Sequence, residues 1–275
     1  MSILRLRLIQ STLKDGAHAS NLAQALAHIE AARGNADLVI FSETYLPGFP
    51  TPDDVAQLAE PLDGPSVRAI RAAARDAHVA VVIGFAEQDD GRYFNTAILV
   101  DEFGELRLRY RKSHLYESDV GVFEAGGTFD VCEWRGVKVG MLICFDLEFP
   151  ETARALARAG ADLIVIPDGM MQPHGHVHRK MIPVRALENQ VFVAMANRVG
   201  PGDRYTFSGE SIVASPDGDV IAAAPSDRDA VVDVGIDLDA IPRNRAASRY
   251  LDLVHPALWP ASCRDTATDA ASRGD

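Results

Sequence analysis

Three residues of this chain combine the types and settings that nucleophilic catalysis needs: Cys144, Glu43 and Lys112. In VGMLICFDLEFPE, Cys144 stands where an apolar strand ends and a helix opened by Pro150 is about to begin, the position of a nucleophile at an elbow. Backbone N–H groups at such a turn favour thiolate over thiol and can hold a developing oxyanion, with the N–H of Phe145 as the obvious donor. In LVIFSETYLPGF, Glu43 follows a second buried strand and precedes a Pro-Gly turn. A carboxylate there faces a ligand crevice, and burial would raise its pKa to suit a general base. In LRLRYRKSHLY, Lys112 ends a third strand, and a cation beside Cys144 would stabilise first the thiolate and then a tetrahedral oxyanion.

Each residue has a plainer reading when taken alone. A lone cysteine after an apolar run is usually a small buried hydrophobe. Glu43 reads more readily as a turn residue bonding to backbone, and Arg107, Arg109 and Arg111 around Lys112 suggest a solvated charged face. The uncommon feature is the combination of three catalytic types at three strand ends, in the order Glu, Lys, Cys. Cys132 has a strand context without the elbow and Cys263 lies in the tail, so both read as structural or incidental.

Hydrophobic periodicity gives the elements that must carry these residues. Residues 3–10 alternate as a strand, Ser20 or Asn21 can cap a helix with Leu22, Leu26 and Ile29 on one face, and 37–41 reads as a buried strand. A helix over 65–78, strands over 79–85, 94–100 and 106–110, and a turn at 101–104 follow. Then come a strand at 137–143, a helix at 149–159 and a strand at 162–166. A helix at 179–190, a strand at 191–196 and short strands near 211–214, 220–224 and 231–236 complete the pattern, while the tail after Pro242 has no clear period. So many strands with so few helices suggest an α/β architecture of two face-to-face sheets with helices outside. No repeat or linker divides the chain, so residues 1–275 are expected to form one domain with a frayed C-terminus.

Composition narrows the partners. A formal charge of −12 repels phosphate backbones and anionic lipid head groups, so neither nucleic acid nor membrane is an expected partner. The N-terminal segment lacks the apolar core of a signal peptide, and no stretch is long enough to span a bilayer. Three cysteines without a CxxC pair argue against a disulfide framework or zinc site and fit a reducing cytoplasm. The histidines His174, His176 and His178 lack a metal-ligating context and read as solvated imidazoles.

The strings FSETYLPGF, YRKSHLY and LICFDLEFPE resemble the three signature segments of the nitrilase superfamily, the carbon-nitrogen hydrolases, and the likeness extends from residue 3 to about Leu238. The resemblance implies Glu43 as general base, Lys112 as transition-state cation and Cys144 as nucleophile within a four-layer αββα sandwich, without metal or organic cofactor. Many members carry a second glutamate seven residues before the glycine of a loop like FEAGG. Counting back from Gly126 gives Asp119, with Glu117 two residues earlier as the competing carboxylate. The resemblance also implies that Arg185 pairs with Glu188, that Asn197 fixes a nearby loop, that Ser208 and Gly209 serve structure, and that the chain forms homodimers or higher homo-oligomers. Residues 242–275 are the extension expected to pack at a subunit interface.

The triad permits hydrolysis of amides, nitriles or carbamoyl compounds. Nitrilases of this superfamily typically place Trp-Glu after the cysteine, and Phe145-Asp146 here favours an amidase-like branch. Carbamoyl-amino-acid hydrolases place arginines three and four residues after it, and Leu147 and Glu148 here disfavour anionic substrates relative to neutral or cationic ones. The expected reaction is hydrolysis of a small carboxamide to acid and ammonia through a cysteine thioester. An N-carbamoyl amine hydrolase, a nitrilase and a scaffold that has only kept the fold remain as alternatives. Tyr45, Glu117, Met170, Met171 and His174 are the expected substrate contacts, the last three from a loop beyond Ile166.

Overall fold

Alternation with a period of two decides which side of a sheet each residue serves, and β1 (Ile3–Gln10) and β2 (Leu38–Ile40) show it directly. Leu4, Leu6, Leu8, Leu38 and Ile40 point into one buried cluster, whereas Ile9, Val39 and Phe41 point into another. The computed structural model describes residues 3–255, and both clusters lie within it. The next strands of this first sheet are β3 (Ala80–Asp89), β4 (Arg92–Val100) and β5 (Leu106–Arg111). The second sheet begins with β6 (Val131–Trp134), β7 (Val137–Met141), β8 (Leu163–Asp168) and β9 (Phe192–Asn197). After β10 (Val199–Pro201) and β11 (Thr206–Ser208), which form a small two-stranded sheet, come β12 (Ile212–Ala214), β13 (Val220–Ala223) and β14 (Ala230–Asp237). The two sheets run in the orders β14-β1-β2-β3-β4-β5 and β13-β12-β9-β8-β7-β6.

Helices α1 (His18–Ala32) and α3 (Pro65–Ala77) pack Ala25, Ile29, Val67, Ile70 and Ala74 on the outer face of the first sheet, with the short α2 (Val55–Leu58) between them in sequence. Helices α4 (Pro150–Arg158) and α5 (His176–Asn189) cover the second sheet through Ala153, Leu156, Ile182 and Ala186. At Gly140 of β7 an added Cβ would lie 2.9 Å from Leu156, so the missing side chain is what lets α4 approach the strand. The result is the expected αββα sandwich, its centre filled where Leu6, Leu8, Ile40 and Val82 meet Val139, Met141, Leu163 and Val165. Polar ties also cross between the halves: Gln10 Oε1 accepts from the Ser211 N–H at 3.0 Å, and the Glu43 N–H donates to the Asp168 carbonyl at 3.2 Å.

Several boundaries differ from the sequence reading. α1 begins at His18 rather than after Ser20 or Asn21; Asn21 is buried inside it and donates to the carbonyls of Lys14 and Leu46, each at 3.0 Å. α5 begins at His176, three residues before the expected start. The stretch after Pro242 is not without structure, since α6 spans Ala240–Ser248, but it buries only Ile241 and so leaves little hydrophobic period to read. Residues 256–275, including Cys263 and most of the expected interface extension, lie outside the described residues.

Candidate active site

Each triad candidate hangs from the C-terminal end of a strand. Phe41 continues the pairing of β2 by donating to the Val82 carbonyl, and Glu43 follows two residues later. Lys112 comes directly after β5, its N–H donating to the Asn95 carbonyl at 2.8 Å. Cys144 follows β7 and opens a 3₁₀ turn, Cys144–Glu148, that leads into α4. Its φ of 45° lies in the left-handed region that a residue with a side chain adopts only when its surroundings enforce it. Asp146 does the enforcing. Its buried carboxylate accepts from the Ile143 N–H (3.2 Å), the His114 N–H (2.8 Å) and the Tyr110 hydroxyl (2.8 Å). Arg185 of α5 ties down the same turn, its Nε donating to the Leu147 carbonyl at 3.0 Å and its Nη2 to that of Glu148 at 3.2 Å.

Glu43, Lys112 and Cys144 line one cavity of about 200 Å³ together with Phe49, Tyr116, Ser118, Phe145, Glu148, Gly169, Met170, Met171, His174 and Val177. Lys112 Nζ sits 2.6 Å from Glu43 Oε1 and 2.6 Å from Asp119 Oδ2, all three side chains being buried. Asn95 Nδ2 donates to the same Glu43 Oε1 at 2.8 Å, leaving Glu43 Oε2 buried without a partner. Asp119 is itself fixed by the Tyr116 N–H, 3.0 Å from Oδ2.

The electrostatics follow from this geometry. Burial pushes the Glu43 carboxyl up, and nearby Asp119 and Asp168 add to the shift while Lys112 opposes it. Burial alone would lower Lys112, but Glu43 and Asp119 together carry it well above the usual lysine value. Burial also drives the Cys144 thiol well up; Glu43 and Asp168 reinforce this against the opposing Lys112 and the Gly169 N–H bonded to the sulfur. Burial and the neighbouring carboxylates therefore favour the thiol form of Cys144. This reverses the expectation that turn N–H groups would make it a thiolate, because burial between carboxylates outweighs them.

The structure brings Met170, Met171 and His174 to the cavity, as expected from their loop. Asn197 holds that loop, its Nδ2 donating to the carbonyls of Met170 (3.2 Å) and Gly209 (2.7 Å), and the Ser208 hydroxyl also donates to Met170 at 3.1 Å. Arg185 and Glu188 pair at 3.1 Å. Two expected contacts are elsewhere. Tyr45 is fully buried on the helix side of the first sheet, edge-on to Phe41 at 4.8 Å, because the turn after Glu43 sends it into the outer core. Glu117 is exposed and absent from the cavity lining, whereas Asp119 is buried 2.6 Å from Lys112. His178 is also corrected. It is buried in α5, with Nδ1 3.0 Å from Asp168 Oδ2 and Nε2 3.4 Å from Glu148 Oε1. Sequence reasoning missed Asn95, whose one signal was a polar residue within the apolar run FNTAILV, and it missed Phe49 and Gly169, which gave none.

A thiol, a carboxyl oxygen free to exchange a proton and a held ammonium in one cavity define a site for covalent acyl transfer. Residues 5–245 match the model of the carbon-nitrogen hydrolase family, and the chain belongs to that family. It is 44% identical over 249 residues to an (R)-stereoselective amidase from Pseudomonas sp., covering 90% of each chain. It is 36% identical to a nitrilase from Pyrococcus abyssi, over 82% of this chain and 85% of that one. Among solved structures it superposes on a double mutant of the amidase from Nesterenkonia sp. AN1 in complex with acrylamide, with a TM-score of 0.84, 28% identity and coverage of 94% and 96%. Another mutant of that amidase, carrying acrylamide added at its active site cysteine, matches with a TM-score of 0.80, 29% identity and coverage of 90% and 98%.

Proposed function

We propose that this chain is an amidase that converts a small neutral or cationic carboxamide to the carboxylic acid and ammonia through a thioester on Cys144. The observation that carries the reading is the division of labour within one carboxyl group: Glu43 Oε1 is held by Lys112 and Asn95, while Oε2 is buried, unpartnered and in the cavity of the thiol. Oε2 takes the Cys144 proton as sulfur attacks the amide carbon. The oxyanion is held by Lys112 Nζ and the Phe145 N–H, a pair of fixed donors of the kind that stabilises developing charge. Collapse of the adduct breaks the C–N bond, Glu43 returns the proton to the departing nitrogen, and ammonia leaves. Water then gives its proton to Oε2 and attacks the thioester, releasing acid and restoring the thiol. Asp119 is the fourth member, holding the Lys112 ammonium at 2.6 Å together with Glu43.

In this reading residues 1–275 work as one domain, as a homo-oligomer in a reducing cytoplasm. Exposed Val184 and Leu187 on α5, with Leu253 of the C-terminal segment, support self-association there. No helix among the described residues is long and apolar enough to cross a membrane.

The test is ammonia and acid release from a panel of carboxamides, N-carbamoyl amines and aliphatic nitriles by the parent and Cys144→Ala. Turnover of carboxamides that disappears in the variant is the expected result. Turnover confined to carbamoyl compounds or nitriles would move the assignment to those classes, and activity surviving Cys144→Ala would remove the mechanism.

A further inference from the structure

We infer that Glu148 is a specificity-determining residue that receives a protonated amine carried by the substrate, an inference that rests on the amide-hydrolase reading and names the class of amide. Glu148 closes the same 3₁₀ turn that Cys144 opens, so carboxylate and reactive sulfur belong to one rigid wall of the cavity. Its backbone is fixed through its carbonyl by Arg185. Its side chain is 28% exposed, whereas Glu43, the other carboxylate of the lining, is fully buried and committed to Lys112. Glu148 is therefore the carboxylate of this cavity that an incoming group can reach.

The charge count in the walls points the same way. His178 lies between Asp168 and Glu148 with 1% of its side chain exposed. Burial opposes its charge, but the two carboxylates outweigh burial and lift the imidazole to about 9, so it is a cation at neutral pH. One imidazolium faces two carboxylates there, and one ammonium, Lys112, faces Glu43 and Asp119. Each set keeps a formal surplus of negative charge, and neither Lys112 nor His178 is left unpaired for an anionic substrate group. Phe145 lies beside Glu148 on the turn, with Tyr116 edge-on to it at 5.4 Å. A carboxylate beside aromatic rings is a setting that attracts an alkylammonium by ion pairing and by the ring quadrupole. His178 then lies 3.4 Å from Glu148 as an ion-pair neighbour without neutralising the wall.

Nipecotamide and cyclohexanecarboxamide isolate the effect, since they differ by a protonated ring amine against a methylene. kcat/KM for each would be measured with the parent and Glu148→Gln, alongside calorimetric binding of each amide to Cys144→Ala with and without Glu148→Gln. The parent is expected to prefer nipecotamide, and Glu148→Gln to cut kcat/KM for it about tenfold, the loss of one charge-assisted contact, with little change for the neutral ring. Equal losses for both amides, no preference in the parent, or a preference that survives Glu148→Gln would overturn the inference. If neither amide is hydrolysed, the hydrolase reading is judged by the wider panel, and calorimetry still decides Glu148: tighter, Glu148-dependent binding of the cation sustains it, and its absence ends it.

Discussion

Lys112, the cation of the proposed mechanism, pairs with two buried carboxylates, Glu43 and Asp119, so Lys112→Met has a cost that can be worked out. The thioether fills the space of the alkyl chain but leaves Glu43 and Asp119 facing each other without the ammonium that sits 2.6 Å from each. Breaking a buried pair by removing one partner typically costs about 3–5 kcal/mol. Proton uptake sets a ceiling on this. Glu43, already pushed up by burial, can keep a proton in the folded variant that it loses on unfolding. Holding that proton at pH 7 against an ordinary value near 4.3 costs about 1.36 kcal/mol per pH unit, or about 3.7 kcal/mol. The variant binds more protons folded than unfolded, so its stability falls as pH rises. Because burial raises Glu43 in the parent too, the difference between the two proteins is expected to stay below that ceiling at pH 7 and to shrink below about 1 kcal/mol near pH 5. Urea unfolding of both proteins from about pH 5 to pH 8, with unchanged m-values, measures it. A deficit that does not vary with pH would refute the reasoning, because it would mean that no buried carboxylate had been left uncompensated.

Other outcomes follow from the same geometry. Gly169→Ala would place a Cβ 2.5 Å from Glu43 Oε2 and against the Phe49 ring, so the proton-carrying oxygen must shift; kcat/KM should fall on the order of a hundredfold while circular dichroism stays unchanged. The acid limb of kcat/KM against pH should lie above the ordinary carboxylate value near 4.3, because activity needs Glu43 ionised and is lost as pH falls through its raised value. Asp119→Asn, which removes a neighbouring negative charge, should move that limb to lower pH, and a limb that stays in place would separate it from Glu43. Tyr45→Phe should leave kcat/KM unchanged, since the ring packs in the outer core; a marked fall in KM-limited turnover would put Tyr45 back at the site.

The triad was legible because its residues sit just past apolar runs, where the direction of the chain constrains the side chain. Tyr45, two residues beyond Glu43, was not legible, because inside an irregular turn no period says which side of the sheet a side chain serves. His178 was misread for a related reason. In DGMMQPHGHVHRKM it looks like one of three polar loop residues, but α5 starts at His176 and its pitch turns His178 inward onto Asp168. That partner sits ten residues earlier, at the end of β8. The carboxylate two residues past Cys144 was noticed only for distinguishing branches of the family, yet Asp146 holds the left-handed elbow through three hydrogen bonds. Their donors lie on β5, the loop after it and the segment just past β7, a convergence that no local window contains.

Glu43 and Lys112 belong to one sheet and Cys144 to the other. Neither half of the molecule owns a catalytic centre, and the reactive arrangement exists only along the seam where the halves meet. A molecule whose sheets have slipped, or whose middle has taken up water, keeps every catalytic side chain and has no enzyme. Selection for turnover therefore reaches Leu6, Ile40, Val139 and Leu163, which touch no substrate but set the registry across the seam.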